Sequence, residues 1–192
     1  MTRPYIVMDT EYTTWPGARE RRWKGENERR EIIQIAAIKF DERGMEVGRF
    51  LRYVKPVFKS VLSDLTIELT GITQEKIDAD GVPFLEALDE YVEFVGGLEA
   101  WCYGRDDAIL KENAEWFGFE FVAPLYLDAR SLVAAVGHDP ADWSSGSVHQ
   151  LVGKSRPGAR EHDAMDDCMS MAMFVYDVIG RLPRYEAVRS HG

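Results

Sequence analysis

Apolar residues run from Tyr5 to Met8, and two carboxylates, Asp9 and Glu11, follow with one threonine between them. A short apolar run of this kind reads as a buried strand. A second run, EIIQIAAIKFD at 31–41, is apolar on both faces and predicts a central strand, and GRFLRYVKP at 48–56 predicts a third. Between them DERGME has the composition of a hairpin turn, so strands two and three are expected to be antiparallel. In LSDLTIELTGIT, Ser63 and Asp64 are candidate helix caps and Gly71 is a stop. PFLEALDEYVEFVGG, 83–97, places Phe84, Leu88, Tyr91 and Val95 at helical spacing and ends in a glycine pair, which predicts an amphipathic helix. EAWCYGR then predicts a fourth strand, DDAILKENAEWFG a helix, and PLYLD a short fifth strand feeding a helix from about Ala129 to Val136. SVHQLVG reads as a short helix and DAMDDCMSMAMFVYDVIGRL as a long one. A three-strand meander followed by alternating helices and strands describes an α/β fold with a mixed central sheet of about five strands flanked by helices.

Composition narrows the class. The chain has 192 residues, 45% of them hydrophobic, with no internal repeat or linker-like shift, so one domain over 1–192 is expected. There is no run of about 18 apolar residues, and the amino-terminal stretch MTRPYIVMDTE lacks a signal-peptide pattern. A soluble, cytoplasmic protein without a membrane partner is expected. Cys102 and Cys168 are far apart and have no CxxC or His-rich neighbourhood, so they read as buried reduced thiols. A net charge of -10 argues against an indiscriminate nucleic-acid binder, yet a site that collects carboxylates to hold cations is itself a source of acidity. Locally the sign reverses: ARERRWKGENERR, 18–30, carries six Lys/Arg against three Glu. Trp15 and Trp23 accompany this cluster and suit base stacking with arginines on phosphates; the plainer reading is a solvated loop of Arg–Glu pairs.

Three segments carry candidate chemistry. Residues i and i+2 of a strand share a face, so Asp9 and Glu11 project side by side, and a divalent cation held by hard oxygen ligands would remove their repulsion. The strand AWCYG also stops at acids, Asp106 and Asp107, where helix capping and metal binding are both available roles. In EHDAMDDCMS, His162 precedes Asp167 by five residues. On one continuous helix these would lie about 140° apart. They converge only if His162 belongs to the loop before the helix, for which KSRPGAREH supplies an irregular lead-in; a loop histidine beside an acid suits proton transfer. Asp163 reads as the cap of the last helix.

The ordered segments YIVMDTEYT, EIIQIAAIKFD, LTGITQEKID, PFLEALDEYVEFV, YGRDDAIL and HDAMDDC resemble the DEDDh exonucleases of the ribonuclease H-like fold. LSDLTIELTGITQEKID is particularly similar to the branch of 3′-to-5′ exoribonucleases that trims histone-mRNA and small-RNA ends, with its KapD-like bacterial relatives. The resemblance implies a 3′-to-5′ exonuclease acting on single-stranded RNA or DNA 3′ ends, with RNA favoured. It implies that Asp9, Glu11, Asp107 and Asp167 hold two Mg²⁺ or Mn²⁺ ions and that His162 is the general base. In the two Asp doublets, spacing from Gly104 favours Asp107 over Asp106, and spacing from His162 favours Asp167 over Asp166. Tyr12, Thr13, Leu69, Gly71 and Ile72 match positions that touch or border the terminal nucleotide, or else serve ordinary packing. Two rivals fit parts of the pattern. A phosphatase with a strand-end Asp nucleophile is opposed by Glu11 and by the HxxxxD segment. A non-catalytic nucleic-acid-binding module is opposed by the complete set of four acids and a histidine.

Overall fold

The computed structural model describes residues 3–26, 28–122 and 124–181. β1 (Tyr5–Tyr12), β2 (Ile32–Phe40) and β3 (Glu46–Val54) form the expected antiparallel meander. The side chain of Asp41 closes the β2–β3 turn by accepting the Arg43 and Met45 N–H groups. α1 (Asp64–Thr70) begins at Ser63, which accepts the Thr66 N–H, and ends at Gly71, whose φ of 70° lies in the left-handed region open to glycine. Then follow α2 (Gln74–Asp80), β4 (Gly81–Val82), α3 (Phe84–Val95), β5 (Glu99–Cys102), α4 (Asp106–Trp116), β6 (Tyr126–Asp128) and α5 (Arg130–Ala135). Two 3-10 helices, Pro140–Asp142 and Val148–Val152, precede the long α6 (Ala164–Arg181). The last residue expected in that helix, Leu182, lies outside the described residues. Among the described residues no helix is long and apolar enough to cross a membrane.

The sheet has six strands rather than about five, in the order β4-β3-β2-β1-β5-β6. The additional strand, β4, is a two-residue parallel partner of β3 at Tyr53 and Val54, too short to leave a hydrophobic period in the sequence. α2 was likewise not expected: Ile77 is its one buried residue, so it shows no apolar stripe, and its start is fixed by the Thr73 side chain on the Lys76 N–H.

Alternation along β1 divides the core. Ile6 and Met8 face a cluster completed by Phe84, Leu88 and Tyr91 of α3 and by Ile109 and Leu110 of α4. Tyr5 and Val7 face a second cluster built with α5 and with Cys168, Met171, Phe174 and Val175 of α6. Both cysteines are free and buried. Since the odd positions of β1 point toward α6, Asp9 and Glu11 are carried to that side, and Thr10 to the α4 side. β1 also outruns its neighbour: β5 pairs only with Tyr5, Ile6 and Val7. The carboxyl-terminal half of β1 thus keeps β2 on one side and has no paired strand on the other. That gap, where an antiparallel neighbour gives way to a parallel one, is where open α/β sheets place their sites.

Candidate active site

A cavity of about 290 Å³ opens at this gap, lined by Asp9, Thr10, Glu11 and Tyr12 of β1, Asp106 and Ile109 of α4, Asp167 of α6 and His162 of the loop before it. Arg30, Tyr103, Arg105 and Ser145 complete the wall. The strand does not stop at Met8 as expected; it continues through the acids to Tyr12, because β2 supplies backbone partners to Asp9, Thr10 and Glu11 at Ala36, Ile35 and Gln34. An irregularity in the pairing between Glu11 and Tyr12 then changes the register, a device that re-aims side chains beside functional sites.

The two acids of the second motif differ in burial and partners. Asp106 is 6% exposed, and its Oδ1 accepts both the Thr10 hydroxyl (2.5 Å) and the Thr10 N–H (3.2 Å) across 96 residues of sequence. Asp107, favoured by the spacing from Gly104, is absent from the cavity lining and is instead held by Arg105 (2.8 and 3.1 Å) at the rim. Helical geometry explains the difference: Asp106 shares a face with Ile109, Leu110, Asn113 and Ala114, all buried at i+3, i+4, i+7 and i+8, and Asp107 is rotated about 100° off it. In the third motif Asp167 is 2% exposed, and its Oδ2 accepts the Ser145 hydroxyl at 2.7 Å. Asp166 points away and orders the preceding loop, pairing with Arg156 (2.6 Å) and accepting the Arg160 N–H (2.8 Å). Asp163 accepts the Met165 and Asp166 N–H groups and so caps α6. Gln34, fully buried on β2 opposite Glu11, accepts the Ala164 N–H and fixes where α6 starts.

His162 lies in the loop, as convergence with Asp167 requires, with a φ of 62° that few residues other than glycine adopt. Ligand atoms of Glu11, His162 and Asp167 lie within 4.8 Å of one another. Burial, reinforced by the charges of the neighbouring acids, holds Asp9 and Glu11 well above the usual carboxylate range. Burial pushes Asp106 up to about 6 against the opposing Thr10 hydrogen bonds, and Asp167 up to about 7 against the Ser145 hydroxyl. Such a cluster requires protons or cations to be stable. Among the described residues no side-chain or backbone group is hydrogen-bonded to the buried Asp167 Oδ1, and this carboxylate-rich donor set fits a hard divalent cation.

Gly146 belongs to the same cradle. A Cβ there would sit 2.6 Å from Asp167 Oδ1. That atom ends a side chain, so Gly146→Ala is expected to keep the fold while displacing the carboxylate. We expect a loss of about 10²-fold in turnover with the metal-free melting temperature little changed. Wild-type turnover in this variant, measured on any substrate the protein cleaves, would show that the position of Asp167 is not critical.

The remaining expected contacts separate. Tyr12 lines the cavity, its ring edge-on to Trp23 at 5.7 Å. Thr13 is buried away from it, donating to the Arg29 carbonyl and accepting the Glu31 N–H. Ile72 packs with Ile33, Leu62 and Ile77 in a satellite core, Gly71 caps α1, and Leu69 is 39% exposed. The basic stretch divides as well. Arg21 pairs with Glu28, which fits the solvated-loop reading, whereas Arg30 reaches the cavity wall, paired to Glu112 at 2.6 Å and lying over the Trp23 ring. Trp15 faces the Lys59 ammonium. Ser145, Arg30 and Arg105 were not singled out in the sequence, where only the basic composition around Arg30 marked any of them.

Comparison with known proteins places the fold and the sequence in a family. The family described as Exonuclease (RNase_T) matches residues 6–174. ERI1 exoribonuclease 2 of Xenopus laevis is 33% identical over 95 residues, which is 49% of this chain and 13% of that protein's length, so the shared stretch is a small part of the relative. Among solved structures, the nuclease domain of 3'hExo, a DEDDh family member bound to rAMP, superposes with a TM-score of 0.78 at 18% identity, covering 93% of this chain and 92% of that one. Cell-death related nuclease 4 (CRN-4) superposes with a TM-score of 0.76 at 21% identity, covering 93% and 64%. These likenesses identify the sheet and its helices as the ribonuclease H-like fold. Because the family match runs from the second residue of β1 to the middle of α6, it takes in every acid of the cavity, and the chain belongs to the RNase T exonuclease family.

Proposed function

We propose that this protein is a divalent-metal-dependent 3′-to-5′ exonuclease that removes nucleoside 5′-monophosphates from single-stranded 3′ ends, with RNA preferred to DNA. The observation that carries the reading is the convergence of four buried carboxylates from three separate elements, with His162 beside them and no hydrogen bond to Asp167 Oδ1 among the described residues. The RNA preference is supported by the exoribonuclease names of the matched relatives. Asp9, Glu11, Asp106 and Asp167 would hold two Mg²⁺ or Mn²⁺ ions, which when bound supply Lewis acidity and lower the pKa of water. Asp106 takes the place that spacing gave to Asp107, which instead keeps Arg105 at the mouth.

The chain's own groups then act as follows. His162 accepts the proton of the attacking water at a ring nitrogen. As the water oxygen bonds to phosphorus, the bond from phosphorus to the 3′-oxygen of the penultimate nucleotide breaks. The departing 3′-oxygen takes a proton from solvent, so the shortened strand keeps a 3′-hydroxyl, and the released nucleotide carries the phosphate. Thr10 and Ser145 fix the carboxylates of Asp106 and Asp167, so the cradle is set before substrate arrives. Tyr12 and Arg30 offer a ring and a guanidinium to the terminal nucleotide.

Digestion of 5′-labelled RNA and DNA oligonucleotides of the same sequence, with Mn²⁺, Mg²⁺ or EDTA, tests the reading. A metal-dependent ladder that shortens from the 3′ end, faster on RNA, is expected. No cleavage by folded, metal-loaded protein would return the chain to the binding-module reading. At saturating Mn²⁺, His162→Ala should lower turnover about 10²- to 10⁴-fold. Turnover equal to wild type would remove the histidine from the proton transfer.

A further inference from the structure

A second cavity of about 350 Å³ adjoins the active site, lined by Lys154, Arg156, Arg160, His149, Glu161 and Gly146. Three cationic side chains on seven residues of sequence are a local reversal in a chain of net charge -10. Their pairing differs. Arg156 is neutralised by Asp166 at 2.6 Å, but Lys154 and Arg160 have no carboxylate within ion-pair distance among the described residues. Arg160 is aimed by one neutral partner, the Glu68 carbonyl of α1 at 2.9 Å, which holds the guanidinium in place and leaves its charge uncompensated.

The wall between the two cavities is thin. A Cβ on Gly146 would lie 2.6 Å from Asp167 Oδ1 on one side and 2.9 Å from Glu161 Cγ on the other. His162, next in sequence to Glu161, lines the active cavity. An anion in the second cavity would therefore sit next to the metal cradle, and when a 3′ terminus occupies a cradle, the backbone phosphates still attached to the strand lie upstream of it.

We propose that Lys154 and Arg160 form a phosphate subsite that grips a backbone phosphodiester of the substrate strand upstream of the scissile bond. The inference rests on the exonuclease reading for the strand's direction, and the chemistry it requires is a phosphate oxygen met by two cations, a sequence-independent contact. Free phosphate is the other source of the same group, and the test separates the two.

The test is anisotropy titration of a 5′-fluorescein-labelled single-stranded RNA about ten nucleotides long, with Ca²⁺ in place of the catalytic metal, at a series of KCl concentrations. Lys154→Ala and Arg160→Ala should each weaken binding about 5- to 10-fold and reduce the salt slope of log Kd by about 0.7, the single-strand value for one lost phosphate contact. Lys154→Arg should restore both, and Lys76→Ala, which removes a cation paired with Asp80 on α2, should change neither. Wild-type affinity and slope in Lys154→Ala and Arg160→Ala overturn the subsite. So does inorganic phosphate binding that these variants lose while RNA affinity is unaltered, because the pocket would then serve a free anion. A cleavage ladder run in parallel with Mn²⁺ keeps the two ideas apart: a normal wild-type ladder with unchanged RNA affinity in the variants removes the subsite alone, and no ladder with a salt-sensitive affinity loss removes the exonuclease reading and with it the upstream placement, leaving a phosphate contact to RNA.

Discussion

Asp106→Ala is expected to lower turnover by about 10³-fold or more, whereas Asp107→Ala stays within about tenfold of wild type. The first removes one of four acids of the proposed metal cradle, and several kcal/mol of transition-state charge stabilisation is worth that factor. The second removes only the partner that holds Arg105 at the rim, so its effect should fall on KM. Single-site kinetics on one RNA substrate decide the matter, with circular dichroism to show that both variants fold. Should Asp107→Ala be the inactive one, the burial of Asp106 and its bonds to Thr10 would be a structural feature, and the motif register would shift by one residue.

The same cluster makes the metal-free protein least stable where it would work. Asp106 and Asp167 are raised from 3.8 to about 6 and about 7, so in the folded state they bind protons that the unfolded chain has released. The sign follows: the stabilisation from this excess protonation is complete below about pH 4 and is lost as pH rises through 6 and 7. In EDTA the melting temperature should therefore fall by about 5–10 °C between pH 5 and pH 8, a few kcal/mol for a chain of this size. Mn²⁺ should reverse the fall, with a larger gain at pH 8 than at pH 5. Asp9→Asn removes one repelling charge and should raise the metal-free melting temperature at pH 8 while abolishing hydrolysis. A flat melting temperature across this range, or a less stable Asp9→Asn, would contradict the repulsion that the buried acids imply. Together these results would describe a site kept at the cost of stability, which is common where charges are gathered for catalysis.

Much of this arrangement was legible before any coordinates. The apolar runs of β1 and β2, the stripe Phe84, Leu88, Tyr91 and Val95, and the loop position of His162 are all local patterns, and each reappears in the fold. The burial of Asp106 is legible too: Ile109, Leu110, Asn113 and Ala114 fall on its helical face, a criterion that distance from Gly104 does not contain. It is the face criterion that also sets Asp167, which lies in line with Met171, Phe174 and Val178, apart from Asp166.

The sequence by itself determined which residues could be acidic ligands, that Asp9 and Glu11 share a face, and that the helices carrying the other acids each bury one stripe. Those properties depend on strand and helix periods of a few residues. Only the tertiary structure decided that Thr10 meets Asp106 and Ser145 meets Asp167, that Gln34 sets the start of α6, and that Thr13 and Ile72 are turned inward. It also decided that Lys154 and Arg160 share a cavity and, among the described residues, form no ion pair. Contacts that span 20 to 130 residues depend on how β1 outruns β5 and on which side each helix packs, and no local period records either.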